Sequence, residues 1–512
     1  MGLPYDDVHL ISDPLYGYLR ITTPRDDDET AESDLLDDPW VQRLKRIHQL
    51  QSSWWVFPTA EHSRFAHSLG VMHLAGTLAA HVYPTLRAVL LAEGADTSAA
   101  PIPAAVAPSS GTGGTDAVSP ADAGAVPAAA SAGPLPSCAL VEETLRVAGL
   151  LHDVGHGPFS HFCDEQYLHP RWGLDHEQIS QRLITHELAP AIGALRRSPG
   201  GELAAGEAVD PAHVAWLVRG ERGDGESESG AGSPPRWVRL LARALSGAAT
   251  VDNMDYVRRD AYMCGVSLGA VDVERLVYYS FCTDEGLTLH KRALGALRAF
   301  LNARLYMYEN VYFHRIGGAI DMHLREIFAD TLALILPESP LDDLAAYRRV
   351  TEWSLFEEVE GWLAEPPGTR RRRLGDEWRR IIHRDVKYHA VFEQQIEHGQ
   401  PAPGTRELSR HEFEAAIRRA LPAELVELEF RVDVASQDPR PVNPLRGPKR
   451  IPVYDPVTGT VADELLGAML AFVPARAHLY RVYSVDREHE RDLAEAARAA
   501  LGEVAPASLT NL

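Results

Sequence analysis

The run Leu150-Leu151-His152-Asp153-Val154-Gly155-His156-Gly157-Pro158-Phe159-Ser160-His161 places three imidazoles and a carboxylate within ten residues. Just upstream, Val141, Leu145, Ala148 and Leu151 recur at helical spacing, so a helix with a buried face ends on His152 and Asp153. Gly155 and Gly157 then allow a tight turn that returns His156 and His161 toward the same cavity. Polar groups buried there are costly unless something pairs with them. Imidazole and carboxylate are the donors that hold Fe, Mn, Zn or Co, and more weakly Mg, and they also move protons. The chain must therefore fold so that further donors gather at this helix end, and the chemistry indicated is metal-dependent hydrolysis.

Two other segments offer such donors. In Glu61-His62-Ser63-Arg64-Phe65-Ala66-His67-Ser68-Leu69-Gly70, His67 precedes a run in which Leu69, Met72, Gly76 and Ala79 mark a packed face, which predicts an inward-pointing ring. His62 is a candidate substrate contact, whereas His48, His73 and His81 read as ordinary partly buried or surface histidines. Asp252, Tyr256 and Asp260 recur every four residues and share one helix face, with Asp255, Arg258 and Arg259 expected on the exposed side. Arg304, Tyr308 and Tyr312 form a similar stripe in the apolar helical run Leu297 to Phe328, a pattern that suits ligand stacking and core packing equally.

Helical periodicity over 140–151, 240–261, 273–281 and 289–328 predicts a mainly α fold. Strand-like runs at 426–432 and 477–485, closed by an amphipathic helix over 487–501, predict a small α+β part. The expected division is a catalytic core over 1–335 and a C-terminal α+β region over 336–512. Residues 94–137, rich in Ala, Pro, Gly and Ser, read as a disordered insertion, and 220–235 as a flexible loop. No uninterrupted apolar span long enough to cross a bilayer and no signal core are read, so no membrane partner and a cytoplasmic location are expected. Cys138, Cys163, Cys264 and Cys282 lack paired spacing, which argues against a disulfide framework. A net charge of −22 disfavours nucleic acid as a partner, and Arg370 to Arg373 reads as a solvated loop or helix start.

Several motifs occur together in order: Gln49-Leu50, Trp54 to Pro58, Arg64-Phe65 with His67 to Gly70, the histidine run, His176-Glu177-Gln178, and Asp252 with Asp255-Tyr256. Together they resemble the HD-domain deoxynucleoside triphosphate triphosphohydrolases, the group containing the SAM-and-HD-domain dNTPase and bacterial dGTPases. That resemblance implies an HD-domain metal-dependent phosphohydrolase core that releases a deoxynucleoside and tripolyphosphate. It implies His67, His152, Asp153 and Asp252 as ligands of a divalent metal ion (Mn, Fe, Zn, Co or Mg), and His156 as the catalytic imidazole oriented by Asp164. It further implies His161, His176, Arg64 and Arg304 on the phosphates, Tyr256 and Asp260 beside the sugar, Gln49 and Leu50 lining the sugar side, and Tyr312 stacking near sugar or base.

Asp37, Gln42 and Lys45 match by position and type the guanine-reading residues of an activating-nucleotide site between subunits, with lysine in place of arginine, and relatives with such a site form homo-oligomers, tetramers or hexamers; the simpler reading of the three is the first turns of a surface helix after Pro39. Asn253 and Phe313 depart from the animal pattern of lysine and glutamine, so base preference does not transfer. Two alternatives stand beside this reading: an HD phosphodiesterase acting on a cyclic nucleotide, alarmone or nucleic-acid end, and a nucleotide-sensing homologue without catalysis.

Overall fold

The computed structural model describes residues 7–96, 133–219, 233–247, 249–398, 408–437, 451–461, 463–470 and 476–502. Most of the expected insertion at 94–137 and of the loop at 220–235 lies outside them. The main elements begin with a hairpin, β1 (Val8–Asp13) and β2 (Gly17–Thr22), and short helices α1 (Glu32–Asp37) and α2 (Pro39–Arg43). Then come α3 (Arg64–Ala92), α4 (Cys138–Leu151), α5 (His176–Arg182), α6 (Val251–Cys264), the hairpin β3 (Ser280–Thr283) and β4 (Gly286–His290), α7 (Leu294–Met307), α8 (Arg315–Ile335), α9 (Glu352–Gly361) and α10 (Arg370–Ile382). The C-terminal part adds β5 (His389–His398), α11 (Arg410–Ala420), β6 (Phe430–Gln437), β7 (Val453–Asp455), β8 (Thr460–Val461), β9 (Arg476–Ser484) and α12 (Glu490–Leu501). The fold is mainly α, as expected, with small sheets.

Helices α3 and α4 form the central pair. Ser137 caps α4, its hydroxyl accepting from the Leu140 N–H at 3.1 Å. The stripe predicted from Val141, Leu145, Ala148 and Leu151 is fully buried. Gly149 lets the two backbones meet, since a Cβ there would stand 3.0 Å from the Val71 carbonyl oxygen. Thr250 caps α6 through the Asn253 N–H at 3.1 Å, and α6 lies against α3. By length and composition α3 could cross a bilayer, contrary to the expectation that no such span exists. In this fold it is the central core helix, with Arg64, His67 and Ser68 buried in its first turns.

Two helical expectations are corrected. The 289–328 run is broken into strand, helix, a π-helical turn at Tyr308–Tyr312 and a second helix, because the chain stops at Phe313 and restarts after His314 caps α8. The 240–261 run is likewise split, with α6 beginning only at Val251. The basic run at Arg370 is a helix start, capped by Thr369, with Arg370 and Arg372 paired to Asp330 and Asp376.

The main apolar core does not stop at residue 335. It continues through Trp362, Trp378 and Ile381 and takes back Ile451, Val453 and Leu466, because β7 pairs in parallel with β4. A separate core lies between the antiparallel sheet β5-β9-β6 and helices α11 and α12, filled by Phe413, Phe430, Tyr480, Val482 and Leu493. Replacing the fully buried Phe413 with alanine should lower stability by about 3–5 kcal/mol in urea denaturation, through lost burial and a residual cavity. The same variant should leave divalent-cation binding unchanged, because the candidate donors lie at the ends of α3, α4 and α6, whose apolar faces form the other core.

Candidate active site

The end of α4 meets the first turn of α3 and the first turn of α6. One donor atom from each of His67, His152 and Asp153 lies within 4.8 Å of the other two. Asp252 joins them, with Oδ1 3.1 Å from His67 Nε2 and 3.6 Å from His152 Nε2. Asp153 Oδ1 is 3.4 Å from His152 Nε2. His67 Nε2 is 3.9 Å from Asp153 Oδ2, so His67, His152 and Asp153 form a group that could hold a divalent cation, with Asp252 beside the two imidazoles. Both rings are held with Nε2 inward: His152 Nδ1–H donates to the Gly149 carbonyl at 2.8 Å, and His67 Nδ1–H to Asp255 Oδ2 at 2.8 Å. Burial would lower the His67 pKa, but Asp252 and Asp255 raise it to about 10. Burial works against ionised Asp153, yet Arg64, His152 and His156 hold its carboxyl well below the usual range.

A second group adjoins the first through Asp153. His156 Nε2 lies 3.4 Å from Asp153 Oδ1, and its ring stacks on His176 with centroids 3.6 Å apart and planes 12° apart. His161 stands edge-on to both rings and is the exposed member, its side chain 65% accessible. The expectation that Asp164 orients His156 is corrected. Asp164 Oδ2 instead accepts from His176 Nδ1–H at 2.5 Å and lies 3.7 Å from His161 Nδ1, while among the described residues neither buried ring nitrogen of His156 has a hydrogen-bond partner.

The two stacked rings consequently titrate in opposite directions. Burial, with the charges of Arg64 and His176, holds His156 well below the ordinary imidazole value. Burial also opposes protonated His176, but the hydrogen bond and charge of Asp164 outweigh it and raise the ring above that value. Asp164 is itself held low, against burial, by the adjacent imidazoles of His161 and His176. One donor atom from each of His156, His161, Asp164 and His176 lies within 4.8 Å of the others, so this second cluster also has the donor types and spacing of a cation site.

The loop carrying these rings is locked from distant segments that sequence patterning did not single out. Phe159 and Ser160 adopt left-handed backbone at φ +61° and +58°. The Phe159 N–H donates to Glu352 Oε1 at 3.0 Å, and buried Glu352 also binds His48, so His48 has a structural tie. Arg64 donates from Nε to Ser160 Oγ at 2.6 Å and from Nη1 to Asp153. Buried Arg43 donates to the carbonyl of His156, and Tyr347 OH to that of Gly155 at 2.7 Å. A Cβ on Gly155 would stand 2.3 Å from the His176 carbonyl, so glycine is what lets α5 seat His176 against the loop.

The remaining candidates divide. Tyr312 OH donates to Asp260 Oδ2 at 2.7 Å, and His62 Nε2 lies 2.8 Å from Asp260 Oδ1, so both Asp260 oxygens are engaged within the protein. Tyr256 meets Tyr312 edge-on at 6.3 Å, and the Arg304 guanidinium lies 5.8 Å from the Tyr308 ring centre. These side chains form one aromatic and basic wall. Leu50 is buried in the core, and the Gln49 side-chain oxygen is buried without a partner among the described residues. Asp37 and Lys45 are exposed on the first helices, with Lys45 over the Phe65 ring at 4.5 Å, whereas Gln42 donates to the Leu36 carbonyl at 2.6 Å. The predicted exposed side of α6 is corrected, because Asp255 and Arg259 are buried as a bidentate ion pair.

Residues 128–259 match the HD domain family model. The chain is 24% identical over 470 residues to deoxynucleoside triphosphate triphosphohydrolase SAMHD1 of Homo sapiens, covering 85% of this chain and 63% of that protein. It is 22% identical over 354 residues to the SAMHD1 homolog of Dictyostelium discoideum, with 69% and 54% covered. It is 24% identical over 318 residues to the uncharacterized protein YwfO of Bacillus subtilis, with 62% and 54% covered. The chain thus spans about half to two-thirds of the length of these curated relatives. A crystal structure of a hypothetical protein from Aquifex aeolicus shares the fold, with a TM-score of 0.61 at 24% identity, covering 96% of this chain and 100% of that one. The matched segment contains the His152-Asp153 pair at the end of α4, and the chain is similar over most of its length to deoxynucleoside triphosphate triphosphohydrolases.

Proposed function

We propose that this protein is a metal-dependent phosphohydrolase that adds water to a deoxynucleoside triphosphate and releases the deoxynucleoside and tripolyphosphate. The observation that carries this reading is the apposition, through Asp153, of a four-donor cation site and a histidine cluster with one raised and one lowered imidazole. A divalent cation held by His67, His152, Asp153 and Asp252 would acidify water and neutralise phosphate charge. His176, whose pKa Asp164 raises, is the group placed to give a proton to the departing 5′ oxygen. His156, kept neutral beside Asp153, orients water and accepts its proton. Arg64 and the exposed His161 bring donors to the phosphates, and Arg304, Tyr256 and Tyr312 form the wall for phosphate and sugar.

Activation by a second nucleotide at Asp37, Gln42 and Lys45, within a homo-oligomer, belongs to the same proposal and rests on the motif match and the accessibility of Asp37 and Lys45. The test is mass-resolved product analysis of the full chain with Mn2+ and each dNTP and rNTP, singly and in mixtures. Deoxynucleoside plus tripolyphosphate, absent in Asp252→Ala, is the expected result, and turnover only in mixtures would reveal an activator. Nucleoside monophosphate plus pyrophosphate, or no turnover in any mixture, would overturn the reading.

The pH dependence is expected to follow the acid. Because the His176 pKa is raised, its proton is held above the ordinary imidazole value and is lost as pH rises through the elevated one. Asp164→Asn removes the charge that raises it, so the alkaline limb of kcat should move to lower pH, with a fall in kcat of about 10²-fold or more near neutrality. An unmoved alkaline limb would remove His176 from the acid role.

A further inference from the structure

We propose that the β1–β2 hairpin is part of the metal centre: Tyr16 and Arg259 clamp Asp255, and Asp255 positions His67 with Nε2 toward the cation. The inference rests on the four-donor reading of the site and on no particular substrate. Asp255 is fully buried, and each of its oxygens has more than one partner. Oδ2 accepts from His67 Nδ1–H and from Arg259 Nε–H, both at 2.8 Å. Oδ1 accepts from Arg259 Nη2 and from Tyr16 OH, both at 2.9 Å. Arg259 in turn donates from Nη1 to Asp13 Oδ2 at 2.8 Å, while Asp13 Oδ1 accepts from the backbone N–H groups of Leu15 and Tyr16. One chain of contacts therefore runs from the hairpin turn to a metal-donor imidazole.

The fit leaves little slack. Gly70 lies one turn beyond His67 on the same face of α3, and a Cβ there would stand 1.9 Å from Asp255 Oδ1 and 2.4 Å from Arg259 Nη2. The carboxylate and guanidinium thus press against the bare backbone of the helix that carries His67. A carboxylate can only accept, so it fixes His67 in the tautomer with hydrogen on Nδ1 and the lone pair on Nε2. Such partners behind a ligating histidine orient the ring and raise its basicity, and losing one typically weakens metal binding about 10–100-fold. Tyr16 and Asp13 are here positioning residues, supplied by a segment well outside residues 128–259 that match the HD domain.

The test is Mn2+ titration by calorimetry on EDTA-stripped full chain at one fixed pH, for wild type, Tyr16→Phe, Asp13→Asn and the control Tyr18→Phe, whose side chain is on the exposed face of β2. Each protein is also melted without metal. The expected result is a Kd raised about 10-fold in Tyr16→Phe and several-fold in Asp13→Asn, unchanged in Tyr18→Phe, with near wild-type metal-free melting for Tyr16→Phe. A purely structural hairpin would lower the metal-free melting temperature and leave Kd alone, and that outcome overturns the proposal. Wild-type protein that takes up no Mn2+ would overturn both this inference and the cation reading. Tight, Tyr16-dependent binding in a protein that cleaves no dNTP would support the inference and overturn only the substrate assignment.

Discussion

Asp153 serves two neighbourhoods at once, and the site can exist only because it does so while ionised. It is 5% exposed, so burial alone would favour the neutral acid. Arg64 reverses that balance from the first residue of α3, and the same guanidinium reaches Ser160 in the left-handed loop. A single arginine thereby ties the end of α4, the start of α3 and the histidine loop together. Removing one partner of such a buried pair costs more than the pair contributes, because the other charge is left in a poorly solvating interior. The strained backbone at Phe159 and Ser160 is tolerable for the same reason: Glu352, His48 and Arg64 hold it from three directions.

What could be read from sequence follows from how local each cause is. His67, His152, Asp153 and Asp252 each sit at the edge of a helix whose buried stripe is written in consecutive residues, and the structure brings them together as a donor set. Asp255 and Arg259 were assigned to the wrong face because a charged residue in a helical pattern normally marks solvent. Their burial depends on Tyr16 and Asp13, more than two hundred positions earlier in the chain, and no periodicity of α6 encodes that. Arg43, Tyr347 and Glu352 left no signal for a related reason, since each binds a backbone carbonyl or N–H of the histidine loop, and backbone groups leave no trace in side-chain spacing.

The boundary drawn at residue 335 met a similar difficulty. The α+β pattern near the C-terminus is legible in its alternating strands, and it does form a separate sheet core. The short strand β7 belongs instead with β4, and that parallel pairing carries residues 451–470 back to the helical core. A register between segments so far apart depends on tertiary packing, whereas strand propensity reports only that each segment can be extended.

The acid and base assignments were the least local of all, because they hinge on which imidazole a single carboxylate reaches. His156, His161 and His176 carry the same chemistry in sequence, and the first two lie closer along the chain to Asp164 than His176 does. The turn after Gly157 and the close seating of α5 on Gly155 stack His156 on His176 and leave only His176 within hydrogen-bond range of Asp164. Two parallel rings at 3.6 Å resist both becoming cationic, so the carboxylate decides which one holds the extra proton more tightly. A chain with a formal charge of −22 still gathers positive groups locally: Arg64 stands at the start of α3 against Asp153 and Ser160, and Asp164 raises the pKa of His176. Local placement, rather than net charge, sets the potential around such groups.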